Sequence, residues 1–236
     1  VSVCFATNGE YASEADAAVR TAESRSVLAA LGVPAEQIYF LGYPDTGMPY
    51  EESFLRRLYD GCRVSASRWG RTETWRPDGQ DFHFMRSGCH STYTAASVLR
   101  DLSDVLALVN PDTVYVTAPG DCHGDHDALG RFTTQAVAAM ENPPALYYYL
   151  IHADRTDIWP ERDAERFRLP PMAADHPLLR CAAERRPLPD GFPPAEKYSL
   201  IQSYTSQDPA AYNGYLLAFA KNDELVFRVE RLPSRT

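Results

Sequence analysis

Thr113-Val114-Tyr115-Val116-Thr117-Ala118-Pro119-Gly120-Asp121-Cys122-His123-Gly124-Asp125-His126-Asp127-Ala128-Leu129-Gly130 is the stretch from which the fold is read. Its first five residues are β-branched or aromatic and suit a strand. A polar turn follows, and from about Asp127 to Met140 the apolar spacing becomes helical. A strand that feeds a polar loop and then a helix is the building unit of a parallel α/β sheet, in which ligands gather beyond the carboxyl ends of the strands. Asp121, His123, Asp125 and His126 place two histidines and two carboxylates within six residues of that loop. H-x-D-H spacing suits metal chemistry, because imidazole is a good zinc ligand and a carboxylate can hold its tautomer and orientation. The competing reading is a solvated loop with a helix cap at Asp125, and the density of ionisable groups at a strand end disfavours it.

Upstream, Val1 to Ala6 is a buried-strand pattern, followed by the polar turn Thr7-Asn8-Gly9-Glu10 and a helical run from about Ala15 to Leu31 that Gly32 stops. Ile38 to Leu41 predicts a strand delivering the loop Gly42-Tyr43-Pro44-Asp45-Thr46-Gly47, with a helix from about Glu51 to Val64 beyond it. A long loop or insertion spans about 65–93, and a helix from Thr94 to Val109 ends at Asn110-Pro111-Asp112. Downstream come a strand at Ala145 to Ile151, a Pro-, Arg- and Asp-rich connection over about 152–194, helices near Ala195–Ser203 and Ala210–Ala220, and a strand at Glu224 to Val229. The expected fold is α/β, a Rossmann-like three-layer sandwich with a mainly parallel sheet, in one domain over residues 1–236. Because the strand pattern opens directly at Val1, the first strand of the sheet is expected to be missing.

The 236 residues carry a formal net charge of -9, which disfavours nucleic acid as a partner, since backbone binding needs clustered Lys and Arg. A small-molecule, carbohydrate-like substrate is expected instead. The five cysteines form no C-x-x-C pair, so neither a disulfide framework nor a cysteine zinc cage is indicated, and a reducing, cytoplasmic setting is the default. No transmembrane run is present in the sequence, and assembly as a homo-oligomer stays open.

Thr7-Asn8-Gly9-Glu10, Arg20 with Glu23, Leu31-Gly32-Val33, Tyr43-Pro44-Asp45-Thr46-Gly47-Met48 and His123-Gly124-Asp125-His126 occur together in order. This set resembles the LmbE-like, or PIG-L, deacetylases, and the likeness extends to the Lys197–Tyr204 segment and the closing Glu224–Phe227 strand. The resemblance implies a zinc-dependent hydrolase that removes an acetyl group from an N-acetylated amino sugar or its conjugate. It assigns His126 as the metal ligand and His123 and Asp125 to catalysis, with His123 stabilising the oxyanion or protonating the leaving amine and Asp125 orienting a histidine. In that family two more ligands and a catalytic aspartate come from an A-H-P-D-D-E motif. That motif does not occur here and is expected just upstream of Val1.

Glu10, Arg20 and Asp45 match family positions that contact the sugar or its aglycone; for Arg20 the structural alternative is a surface pair with Glu23. His152 directly follows a strand and is a further candidate for the substrate rim. His90 and Tyr93 are weaker loop candidates, and Trp69, Trp75 and Trp159 either stack on a sugar or anchor their loops. The runner-up is a non-catalytic carbohydrate-binding relative without a complete metal site. A dinucleotide oxidoreductase is disfavoured by the absence of G-x-G-x-x-G after a strand. A two-carboxylate glycosidase would leave the adjacent histidines without a role.

Overall fold

A computed structural model describes residues 1–64, 66–156 and 158–233. Ser65, where the long loop was expected to begin, and Asp157, in the later connection, lie outside the described residues. The chain opens with β1 (Val3–Thr7), then α1 (Glu14–Ala30), β2 (Ile38–Tyr43), α2 (Phe54–Tyr59), α3 (Phe82–Ser87) and α4 (Ala95–Val109). It continues through β3 (Thr113–Thr117), α5 (Gly124–Ala139), β4 (Ala145–Tyr149), β5 (Ala182–Pro187), α6 (Pro194–Gln202), α7 (Ala211–Gly214) and β6 (Asp223–Arg228).

Local chemistry accounts for the helix ends. Ser13 caps α1 by accepting the Asp16 N–H, with Glu14 and Asp16 against the positive end of the helix dipole. Thr94 caps α4 in the same way, and Asn110, in the left-handed region, closes it before Pro111. The predicted helix from Glu51 to Val64 contracts to α2, because the chain first turns over Pro49, whose carbonyl accepts from Glu52 and Ser53, and then stops at Gly61 with φ 76°. The predicted helix near Ala210–Ala220 is likewise broken into α7 and a short 3-10 turn at Leu216–Phe219.

The expected mainly parallel single sheet needs correction. β1 and β2 pair in parallel as a two-stranded sheet, while the second sheet runs β3-β4-β6-β5. Within that second sheet β3 and β4 are parallel, but β6 lies antiparallel to both β4 and β5. β1 and β3 each pair along one edge only among the described residues. Between the two strands lies a slot of about 880 Å³, lined by Val3, Cys4 and Ala6 from β1, Val114 and Val116 from β3, and Leu106 of α4.

Two apolar clusters hold the elements. One gathers Leu41 and Tyr43 of β2, Phe54, Leu55 and Leu58 of α2, and Phe132 of α5. The other joins Val116, Leu146, Tyr148 and Phe227 of the larger sheet to Trp159, Phe167 and Leu178 of the long connection. Neither expected insertion is a plain loop: the first contains α3, and the second contains β5.

Candidate active site

The loop after β3 is shaped by the helix that follows it. α5 begins at Gly124, three positions earlier than its apolar spacing suggests, so His123 is the cap residue and Asp125 and His126 lie in the first turn. Gly124 is pressed against α2: a Cβ there would meet Ser53 Oγ at 2.5 Å. His123 Nδ1 accepts the Asp125 backbone N–H at 3.2 Å, so its remaining nitrogen, Nε2, carries the proton in the neutral ring. Burial first, and then the neighbouring His126 and His152 rings, push the His123 pKa down to about 3, so the imidazole is neutral at physiological pH.

The His126 ring stacks on His123 with centroids 4.4 Å apart, and the His152 ring follows at 5.5 Å from His126. Tyr215 closes the row at 5.5 Å from His152. His126 Nδ1 lies 3.2 Å from Asp121 Oδ1, and Asp121 is fully buried. Burial opposes ionisation of Asp121, yet the His126 contact and the N–H groups of His123 and Ile151 hold its carboxyl below the usual range. The carboxylate that meets a histidine nitrogen is therefore Asp121. Asp125, which the sequence reading gave that task, directs Oδ1 to the Leu55 backbone N–H at 2.7 Å. Among the described residues Asp125 Oδ2 is buried without a hydrogen-bond partner, and burial followed by the proximity of Asp45 raises its pKa well above the usual carboxylate value.

The opposite wall comes from the ends of β1 and β2. Arg20 on α1 reaches Asp45 Oδ2 at 3.6 Å. With the Gln207 amide oxygen turned inward, it accepts from Arg20 Nε at 2.9 Å and Nη1 at 3.2 Å. Among the described residues Glu23 makes no ion pair with Arg20, although the Arg20 charge acts on it; it receives the Ser206 backbone N–H and the hydroxyls of Thr205 and Ser206. Gly9, with φ 73°, leaves the space that Arg20 Cδ fills, since a Cβ there would sit 2.6 Å away. Glu10 is fully buried behind Asp45 and accepts the Asp45 N–H at 3.2 Å. Burial is the main cause that lifts its pKa to about 7, and among the described residues its Oε1 has no hydrogen-bond partner.

These walls enclose a cleft of about 480 Å³, lined by Arg20, Asp45, His123, Asp125, His126 and His152. Glu10 supports the cleft from behind and does not line it. Tyr204, Gln207 and Leu216 also line it, from the carboxyl-terminal third of the chain, Tyr204 at the end of the segment to which the family likeness extends. His90 and Tyr93 are not brought to the cleft: His90 pairs with Asp81, and the Tyr93 hydroxyl donates to the Glu73 carbonyl. Trp159 is 3% exposed inside the second core, and Trp69 donates Nε1–H to the Glu10 carbonyl, so both anchor their loops.

Among the described residues, Asp45, His123 and Asp125 bring one ligand atom each within 4.8 Å of one another, a group that does not include His126. Imidazole nitrogens and carboxylate oxygens at one cleft form a donor set that suits zinc. A family model described as PIG-L, GlcNAc-PI de-N-acetylase, matches residues 1–137. The chain belongs to the PIG-L family. The PIG-L match takes in Glu10, Arg20, Asp45 and the whole His123–His126 segment, and it ends within α5. His152, Tyr204 and Gln207 therefore lie outside the matched residues. No curated protein and no solved structure gave a match. PIG-L members are de-N-acetylases, which makes this chain a member of a hydrolase family.

Proposed function

We propose that the protein is a zinc-dependent N-deacetylase that hydrolyses the acetamide of an N-acetylated amino sugar or its conjugate. The observation that carries this reading is the convergence of His123, His126 and His152 on one cleft with Arg20 and Asp45 on the facing wall. His126 is the zinc ligand of this chain in the reading. The resemblance assigns the other ligands and the base to an A-H-P-D-D-E motif, which does not occur among these 236 residues.

Zinc, when bound, supplies Lewis-acid polarisation of the acetyl carbonyl and acidification of the attacking water. The chain's own residues do the rest. His123, neutral and with Nε2–H toward the cleft, donates a hydrogen bond to the acetyl oxygen as negative charge develops on it. Asp45 accepts from sugar hydroxyls, and Arg20, held by Asp45 and Gln207, donates to them. His152, which lines the cleft and stacks on the buried Tyr215, orients the amide.

Replacing His123 tests its role. His123→Ala, in protein expressed from the complete gene, should lower kcat for acetate release roughly 100- to 1,000-fold with KM little changed, as expected when a transition-state donor is lost. A rise in KM at constant kcat would move His123 from catalysis to substrate binding.

A further inference from the structure

Asp121 was not assigned a role by its position in the motif, yet its carboxylate, fully buried beside the cleft residues His123 and His126, accepts from several elements at once. Oδ1 accepts the His123 backbone N–H at 2.9 Å and faces His126 Nδ1 at 3.2 Å. Oδ2 accepts the backbone N–H groups of Ile151 at 2.9 Å and His152 at 3.0 Å. One buried side chain thus ties the end of β3 to the first turn of α5 and to the residues following β4.

The chemistry of those contacts fixes a proton. An ionised carboxylate only accepts hydrogen bonds, so the imidazole nitrogen facing it must carry hydrogen. We propose that Asp121 is a positioning residue that holds His126 in the Nδ1–H tautomer and presents the unprotonated Nε2 to the cleft as a metal ligand. The metal part rests on the proposed function; the tautomer does not. Outer carboxylates of this kind orient metal-binding imidazoles and raise their basicity. His123 carries the opposite arrangement, with Nδ1 accepting the Asp125 N–H and the proton of the neutral ring on Nε2. Two stacked histidines in one helix turn are thereby given different tasks, a lone pair on one and a donor on the other, by what their Nδ1 atoms meet.

The substitution Asp121→Asn gives a signed test. An asparagine that keeps its oxygen on the two N–H groups of Ile151 and His152 must turn its NH2 toward His126 Nδ1. That donor reverses the tautomer and places Nε2–H toward the cleft.

The experiment is long-range 1H–15N correlation of the histidine rings at neutral pH, on the metal-free 236-residue chain and on its Asp121→Asn variant. The expected result is Nδ1–H for His126 in the native chain and Nε2–H, or a tautomer mixture, in the variant. A native His126 protonated on Nε2, or an unchanged tautomer in a folded variant, overturns the proposal. The native measurement alone decides it if the variant does not fold. A purely structural role would lower Tm without changing the tautomer. Zinc competition against a chromophoric chelator, with protein from the complete gene, should show about 10- to 100-fold weaker retention in the variant. Native protein that holds no zinc while showing the Nδ1–H tautomer would sink the metal reading and leave the positioning role standing.

Discussion

At the scale of single residues, the cleft places groups in protonation states that they would not adopt in water. Glu10 shows the consequence for stability. Its folded pKa of about 7 lies above the ordinary value of 4.5, so the folded state holds a proton that the unfolded chain releases first. Its protonated form is therefore favoured at low pH, and stability should fall as pH rises from about 4.5 through 7, by up to roughly 3 kcal/mol for a shift of this size. Glu10→Gln should flatten that part of a Tm-against-pH profile and leave the variant more stable than the native chain at pH 8. An unchanged slope would show that Glu10 is ionised and solvated in the fold. The sequence exposed the ionisable residues of this region but not all of their partners. Asp121 and His126 are five positions apart, and their contact depends on where α5 begins. The other donors to Asp121, at Ile151 and His152, come from a different strand end.

At the scale of elements, α5 decides the geometry of the site, and Gly130 sets how closely it lies on β3. A Cβ at Gly130 would stand 2.3 Å from the Thr117 carbonyl oxygen and 2.9 Å from Pro119 Cδ. Alanine would add ~1 kcal/mol of helix propensity. Overpacking against an atom that cannot rotate away costs roughly 1–3 kcal/mol. Gly130→Ala should therefore lower stability in denaturant melts despite the better helix former. A neutral or stabilising result would mean that α5 sits farther from β3. The start of α5 was misjudged from sequence because Gly124 and Asp125 break the apolar spacing. Capping by His123 and the fit of Gly124 against Ser53 recruit them into the helix. β5 was missed for a different reason. Ala-Ala-Glu-Arg-Arg-Pro has no apolar alternation, and it pairs only along one side, with β6, as a polar edge strand.

At the scale of the whole molecule, the α/β character and the placement of the cleft at strand ends were legible in the alternation of strands and helices. The antiparallel course of β6 was not, because strand direction depends on how a chain crosses between layers, and the residues of a six-residue strand do not encode it. β1 and β2 form a sheet apart from β3-β4-β6-β5, and the slot lies between β1 and β3. Among the described residues no helix is long and apolar enough to cross a membrane. A compact cleft of about 480 Å³ suits a small substrate, in keeping with the net charge of -9 that disfavours nucleic acid. We propose that this cleft, with His126 as a ligand, hydrolyses an acetamide at zinc. The most direct test is metal content measured together with acetate release from N-acetylglucosamine conjugates, on protein from the complete gene and on its His126→Ala variant. The account predicts about one zinc per chain and turnover in the native protein, with both lost in the variant. Native protein that binds the sugars but holds no metal and releases no acetate would contradict it and establish a carbohydrate-binding relative in its place.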